Sequence, residues 1–157
     1  MKNLELFETH VYTLHLMNSI EFYRKLELEV AYIIKERGVA FFWIGDPAKK
    51  KQMLGVWEVP KVKFRKSHFA FHVNLEELLN APTFLSKQGI ELSPDFGLDT
   101  SEPIVHSWMP SASYYFEDPD GNSLEYISAL EGEPIPELGA VHLSTWREIQ
   151  KKAGYNC

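Results

Sequence analysis

Residues 115–127 read YFEDPDGNSLEYI, and the turn at their centre decides how the C-terminal half of the chain folds. Pro119 presets the backbone for a turn, and Gly121 supplies the positive φ that closes it. Extended, aromatic-rich runs over 112–117 and 123–128 flank the turn, so the stretch predicts a β-hairpin. Inside it, Glu125 interrupts the otherwise apolar run Leu124 to Ile127. Burying even a neutral polar group without a partner costs about 2–7 kcal/mol, and a lone carboxylate costs more. A bound cation would remove that cost, as would a lysine partner or a place on a solvent face. Tyr115, across the turn, is expected nearly opposite Glu125 on the paired strand, either packing in the sheet or turning its hydroxyl toward the same place.

Upstream of the hairpin, residues 68–73 (HFAFHV) read as a strand. Asn74-Leu75-Glu76-Glu77 is a helix-capping pattern, and the helix it opens runs to about Gln88 before Gly89. Pro82 falls inside that helix and is expected either to break it or to restart it from a first-turn position. Residues 90–92 look extended, and 93–103 is a polar loop. The same order appears earlier in the chain. Residues 7–14 (FETHVYTL) form a strand, and Asn18 with Glu21 caps a helix to about Leu26. Strands follow over 29–35, 39–44 and 53–57. Two passes through one order suggest an internal duplication, carried by order and caps because the halves share little identity. The basic stretch Lys61 to Lys66 reads as a solvated linker between them. Residues 134–157 stand apart, with a short helix over 144–149 docked through Trp146.

The chain has 157 residues, 45% of them hydrophobic, enough for a sizeable core without external staples. A formal charge of −6 argues against nucleic acid and against an anionic membrane surface. Cys157 is the sole cysteine, so no disulfide framework exists within the chain. The N-terminal run from Met1, Lys2 and Asn3 meets acids too early for a signal peptide, and no apolar run reaches the length of a membrane span. The expected address is cytoplasmic.

Three places offer donors for a metal. Glu8 and His10 are two apart on one strand and share a face. His68 opens the second unit's first strand, with His72 on the same face, and Glu125 follows the hairpin turn. His15, His106 and His142 lie in loop-like surroundings and are read as surface residues. Trp43, Trp57, Phe41 and Trp108 serve either as core or as the lining of a binding site.

Three stretches carry a resemblance: 8–26 (ETHVYTLHLMNSIEFYRKL), 68–89 (HFAFHVNLEELLNAPTFLSKQG) and 115–127. Together they resemble the vicinal oxygen chelate superfamily, which includes glyoxalase I, extradiol dioxygenases, fosfomycin-resistance transferases and bleomycin-resistance proteins. The likeness spans about residues 6–130. It implies an α+β fold in which two βαβββ modules, 6–58 and 67–130, form a cup-shaped mixed sheet within a single 1–157 domain. A C-terminal extension, 134–157, adds the short helix.

The resemblance also implies a divalent metal (Zn, Ni, Mn or Fe) held by Glu8, His68 and Glu125. Counting from the His-Val pair would put His10 in place of Glu8, but Glu8 needs no deletion and leaves His10 deeper as an acid/base group. The acidic ligand that glyoxalase I carries on the last strand of its first module is missing from 53–57 (MLGVW), and Glu58 stands at that strand's very end. A three-ligand site with open positions fits better, chelating a small molecule through adjacent oxygens while Tyr115 donates a hydrogen bond. Trp43, Trp57 and Trp108 are the expected substrate-lining residues. The four tryptophans and the −6 charge suit an alternative, metal-free sequestration of a drug in an acidic aromatic cup. Relatives often pair, so a homodimer is expected.

Overall fold

Apolar residues at every second position divide the first four strands into a buried face and an open one. In this computed structural model, which describes residues 4–152 and Gly154, these strands are β1 (Glu8–Thr13), β2 (Glu29–Ile34), β3 (Val39–Ile44) and β4 (Gln52–Glu58). Cys157, like residues 1–3, lies outside the described residues. The sheet order is β1-β4-β3-β2. β1 runs parallel to β4, and the other two pairings are antiparallel. A parallel pair needs a crossover, supplied here by α1 (Leu16–Lys25) with β2 and β3. One face carries Val11, Ala40, Phe42, Leu54 and Val56, all buried, and α1 packs against β3 and β4 with Ile20, Phe22 and Tyr23 buried. The register sets Glu8, His10 and Tyr12 beside Met53, Gly55 and Trp57 on the opposite face, with Phe41 and Trp43 next along.

The expected cap of α1 moves. The helix begins at Leu16, so Asn18 and Glu21 lie inside it, and its N-cap His15 makes no side-chain cap bond. Glu58 takes over: pairing with Thr13 sets it at the helix start, where its Oε2 accepts the Leu16 N–H at 2.7 Å. A carboxylate there satisfies an orphan amide and favours the positive end of the helix dipole.

Residues 118–123, the turn of the hairpin, belong by their contacts to this first unit, which otherwise spans 1–69. Asp118 accepts from the Asp120 and Asn122 amides, from the Asn122 side chain and from the Tyr23 hydroxyl. Asp120 accepts from the Thr13 hydroxyl and the Leu14 amide. Asn122 donates to the Tyr12 carbonyl and accepts from the Ser67 amide. The D-P-D-G-N motif is thus a hydrogen-bonded staple as well as a turn.

The second unit comprises 70–117 and 124–157. Its elements are α2 (Leu75–Lys87), β6 (Leu92–Ser93), β7 (Ile104–His106), β8 (Ser111–Glu117), β9 (Ser123–Ala129), β10 (Ala140–His142) and α3 (Leu143–Lys152), preceded by β5 (His68–His72), which starts in the first unit. The sheet order is β10-β7-β8-β9-β5, with β6 on β8. Asn74 and Glu77 form the expected capping box on α2. Pro82 neither breaks nor restarts that helix. Leu78, Ala81 and Leu85 are buried, and the packing of α2 on β8 outweighs the hydrogen bond that proline cannot make. Leu78 and Ala81 join Val105, Ala112, Tyr114, Leu143 and Trp146 in one core cluster. The architecture is α+β, two strand–helix–strands units and a short C-terminal helix, with the strands in two sheets that do not close. β7 and β10, three residues each, were not expected, being too short to show a period. Among the described residues no helix is long and apolar enough to cross a membrane.

Candidate functional site

In the first unit, chemistry gathers on the open face of the sheet. Gly55 sits directly beneath His10: a Cβ added there would stand 2.5 Å from His10 Nδ1. The missing side chain lets the imidazole lie across β4, where Trp57 Nε1–H donates to His10 Nδ1 at 2.6 Å. An indole nitrogen can only donate, so Nδ1 is the accepting nitrogen and Nε2 carries the ring proton. That Nε2 faces Glu8 Oε1 at 3.4 Å. Both ring nitrogens of His10 are therefore engaged, leaving no lone pair for a cation in this arrangement. Phe41 meets His10 edge-on at 6.3 Å, and the Arg37 guanidinium lies 4.9 Å over the Trp57 ring. Trp43, beside Met53 in register, is half-buried.

His68, also in this unit, has Nδ1 3.1 Å from the Ser123 carbonyl and 3.2 Å from the Ser123 hydroxyl. A carbonyl only accepts, so Nδ1 donates to it and the lone pair is on Nε2. Metal-binding imidazoles use that tautomer, their second nitrogen fixed by a carbonyl.

In the second unit, alternation along β8 turns Ser111, Ser113 and Tyr115 to one face and Ala112, Tyr114 and Phe116 to the other. Glu125 is only 4% exposed. Its Oε1 accepts a short hydrogen bond from the Ser113 hydroxyl, and the Tyr115 hydroxyl is bonded to it as well. The same phenol oxygen lies 2.8 Å from His106 Nε2, while His106 Nδ1 is 3.4 Å from the Ser111 hydroxyl. Burial raises the Tyr115 pKa above its ordinary range, with the charges of Glu125 and Asp95 adding to the shift. The phenol therefore keeps its proton at neutral pH as a hydrogen-bond donor. Trp108, 42% exposed, stacks on the buried His106 ring at 5.1 Å with 19° between planes. The arrangement offers a buried carboxylate, a phenol that stays protonated and a histidine backed by an aromatic surface, the parts of a proton-transfer site.

Of the residues picked out from sequence, the first unit brings Glu8, His10 and Trp57 together and holds His68 on Ser123. The second unit brings Tyr115 to Glu125 and sets Trp108 one ring away, on His106. Among the described residues no group of three or more His, Cys, Asp or Glu side chains is gathered so as to hold a metal ion. Sequence reasoning missed His106 and Ser113. His106, read as a surface loop residue, is a buried strand residue. The run Ile104-Val105-His106 ahead of a hairpin was its one signal. Ser113 was legible only through the alternation in SASYYFE.

No protein-family profile matches the chain, and no curated protein matches it. Solved structures do. An integron cassette protein from the mobile metagenome of a Halifax Harbour sewage outfall is 28% identical, with a TM-score of 0.68 over 83% of this chain and 100% of that one. A lactoylglutathione lyase from Agrobacterium tumefaciens is 22% identical, with a TM-score of 0.62 over 82% and 96%. A glyoxalase/bleomycin resistance protein/dioxygenase from Nocardioides is 24% identical, with a TM-score of 0.61 over 86% and 90%. At these identities the last two likenesses are of fold.

Proposed function

Because the chain has the vicinal oxygen chelate fold, we propose that it binds a small oxygen-bearing organic molecule at Glu125 and promotes proton transfer on it. One observation carries this reading: a carboxylate buried in a strand and held by two hydroxyls, one of them the phenol of Tyr115. When ionised, Glu125 can only accept, so it is the base, taking a proton from a hydroxyl or from a carbon next to a carbonyl. Tyr115 turns its O–H from Glu125 to the substrate oxygen on which charge develops. His106 stays on the phenol oxygen and keeps it in place, and Ser113 holds the base. Deuterium exchange into hydroxyacetone tests the idea. Exchange should be lost in Glu125→Gln, fall roughly 10²-fold in Tyr115→Phe and persist with a chelator present. Binding with no exchange in the wild-type protein would instead make the chain a sequestering protein of the bleomycin-resistance kind.

A second reading keeps a divalent metal, with Glu8, His68 and Glu125 as donors. The His68 tautomer favours it. The engagement of Glu8 with His10 does not. Such a metal would supply Lewis acidity to a substrate's adjacent oxygens. Metal analysis of the purified protein separates the readings. About one divalent ion per chain, lost in His68→Ala and Glu125→Ala, together with exchange abolished by a chelator, would replace the first reading by the second.

A further inference from the structure

Phe96 stands in a conformation that suits glycine. In the turn Asp95-Phe96-Gly97-Leu98, Phe96 has φ 51° and Gly97 φ 73°. Two successive positive φ values make the mirror-image turn that glycine and asparagine favour and bulky residues avoid. The turn is closed by the Leu98 amide on the Asp95 carbonyl at 2.9 Å, and the Asp95 carboxylate accepts the Phe96 amide at 2.7 Å. The strain does not bury the ring, which is 51% exposed. It holds the ring against three others: His106 at 5.3 Å, Trp108 at 5.7 Å and Tyr115 at 6.4 Å between centroids. All three spacings lie in the range of attractive aromatic pairs. Phe96 therefore occupies a box of three aromatic walls, and two of them, His106 and Tyr115, are the polar groups that lead to Glu125.

We infer that this box is the subsite for a planar ring of the ligand, with Phe96 as its resident occupant. The inference rests on the proton-transfer reading above and names its substrate class: a conjugated ring bearing an oxygen, of which phenol is the simplest member. The ligand's ring takes the place of Phe96 against Trp108 and His106, and its oxygen reaches the Tyr115 hydroxyl. Displacement favours Phe96 over the walls. Its turn is exposed and relaxes on opening, whereas His106 and Tyr115 are buried strand residues. A saturated ring of similar size has no π-face to offer, so flatness, beyond mere hydrophobicity, is the selected property.

Three probes test this on the full chain: phenol, toluene and cyclohexanol, titrated while following the Trp108 indole N–H resonance, assigned with Trp108→Phe. In Phe96→Gly the turn residue suits its φ and the box is open. Both flat probes should bind about tenfold tighter than to the wild type, and cyclohexanol should gain little. Phe96→Ala serves if the glycine variant does not fold by near-UV circular dichroism. Unchanged affinities in the open variant, or cyclohexanol gaining as much as phenol, would overturn the inference. The double variant Phe96→Gly/Glu125→Gln separates it from the reading beneath. If toluene and phenol gain equally and phenol is indifferent to Glu125→Gln, the box stands and the role of Glu125 falls. If neither gains, the box falls whatever Glu125 does.

Discussion

At the scale of single residues, Gly55 and Tyr23 carry the sharpest consequences. A methyl group at Gly55 would meet His10 Nδ1 at 2.5 Å and Phe41 at 3.2 Å, both on the open face of the first sheet. Gly55→Ala should therefore push the imidazole off Trp57 and cost about 1–3 kcal/mol through overpacking. The checks are a shift of the Trp57 indole N–H resonance and a lower urea midpoint; an unmoved indole would show that His10 is not held as described. Tyr23 concerns pH. Its phenol is buried and bonded to Asp118, and burial first, then the Asp118 charge, raises its pKa well above the ordinary value of 10. The folded chain keeps this proton longer than the unfolded chain does, so the stability it contributes is full below pH 10 and drains as pH rises further. Tyr114 and Tyr115 shift the same way. The urea midpoint should therefore fall as pH rises from about 10 upward, and fall less in Tyr23→Phe; equal slopes would assign the loss to other groups. How legible such residues are follows from their neighbours. Glu125 and Tyr115 could be paired from sequence because a five-residue turn fixes the register. His106 could not, because its strand is three residues long and shows no period.

At the scale of elements, caps and packing compete with local sequence signals. Asn74 and Glu77 cap α2 as their spacing says, since both partners lie in one turn of chain. Asn18 and Glu21 have the same spacing and cap nothing, because the α1 cap arrives from 42 residues away as Glu58. That partner is set by the parallel register of β1 on β4, which no window of sequence contains. Pro82 makes the same point: both outcomes expected of it were local, and burial of Leu78, Ala81 and Leu85 decided otherwise. Glu58→Ala should cost about 0.5–2 kcal/mol, as losing a helix cap does. Glu58→Gln, which keeps an acceptor without the charge, should recover part of it. Urea denaturation of both variants is the measurement, and equal losses would leave the dipole term without support.

At the scale of the molecule, the repeated order of elements was readable, because each unit needs only its own caps and alternating strands. The path of the chain between the units was not. The first unit is built from 1–69 and 118–123, so a turn late in the chain completes a fold begun at its start. The motif most visible in the sequence as a hairpin turn has its second role there, through bonds spanning as many as 110 residues. This ranks the turn's two acids. Asp120→Ala leaves the Thr13 hydroxyl and the Leu14 amide without their acceptor and should cost about 1–3 kcal/mol. Asp118→Ala removes the acceptor of four donors, the Tyr23 hydroxyl among them, and should cost about 3 kcal/mol or more. Burial raises the Asp118 pKa, so part of that loss is offset by no longer burying its charge. The order Asp118→Ala worse than Asp120→Ala, read from urea midpoints of the full chain, is the expected result. The reverse order would mean that the turn closes the hairpin and little else, and that the first unit draws its stability from residues 4–69 alone.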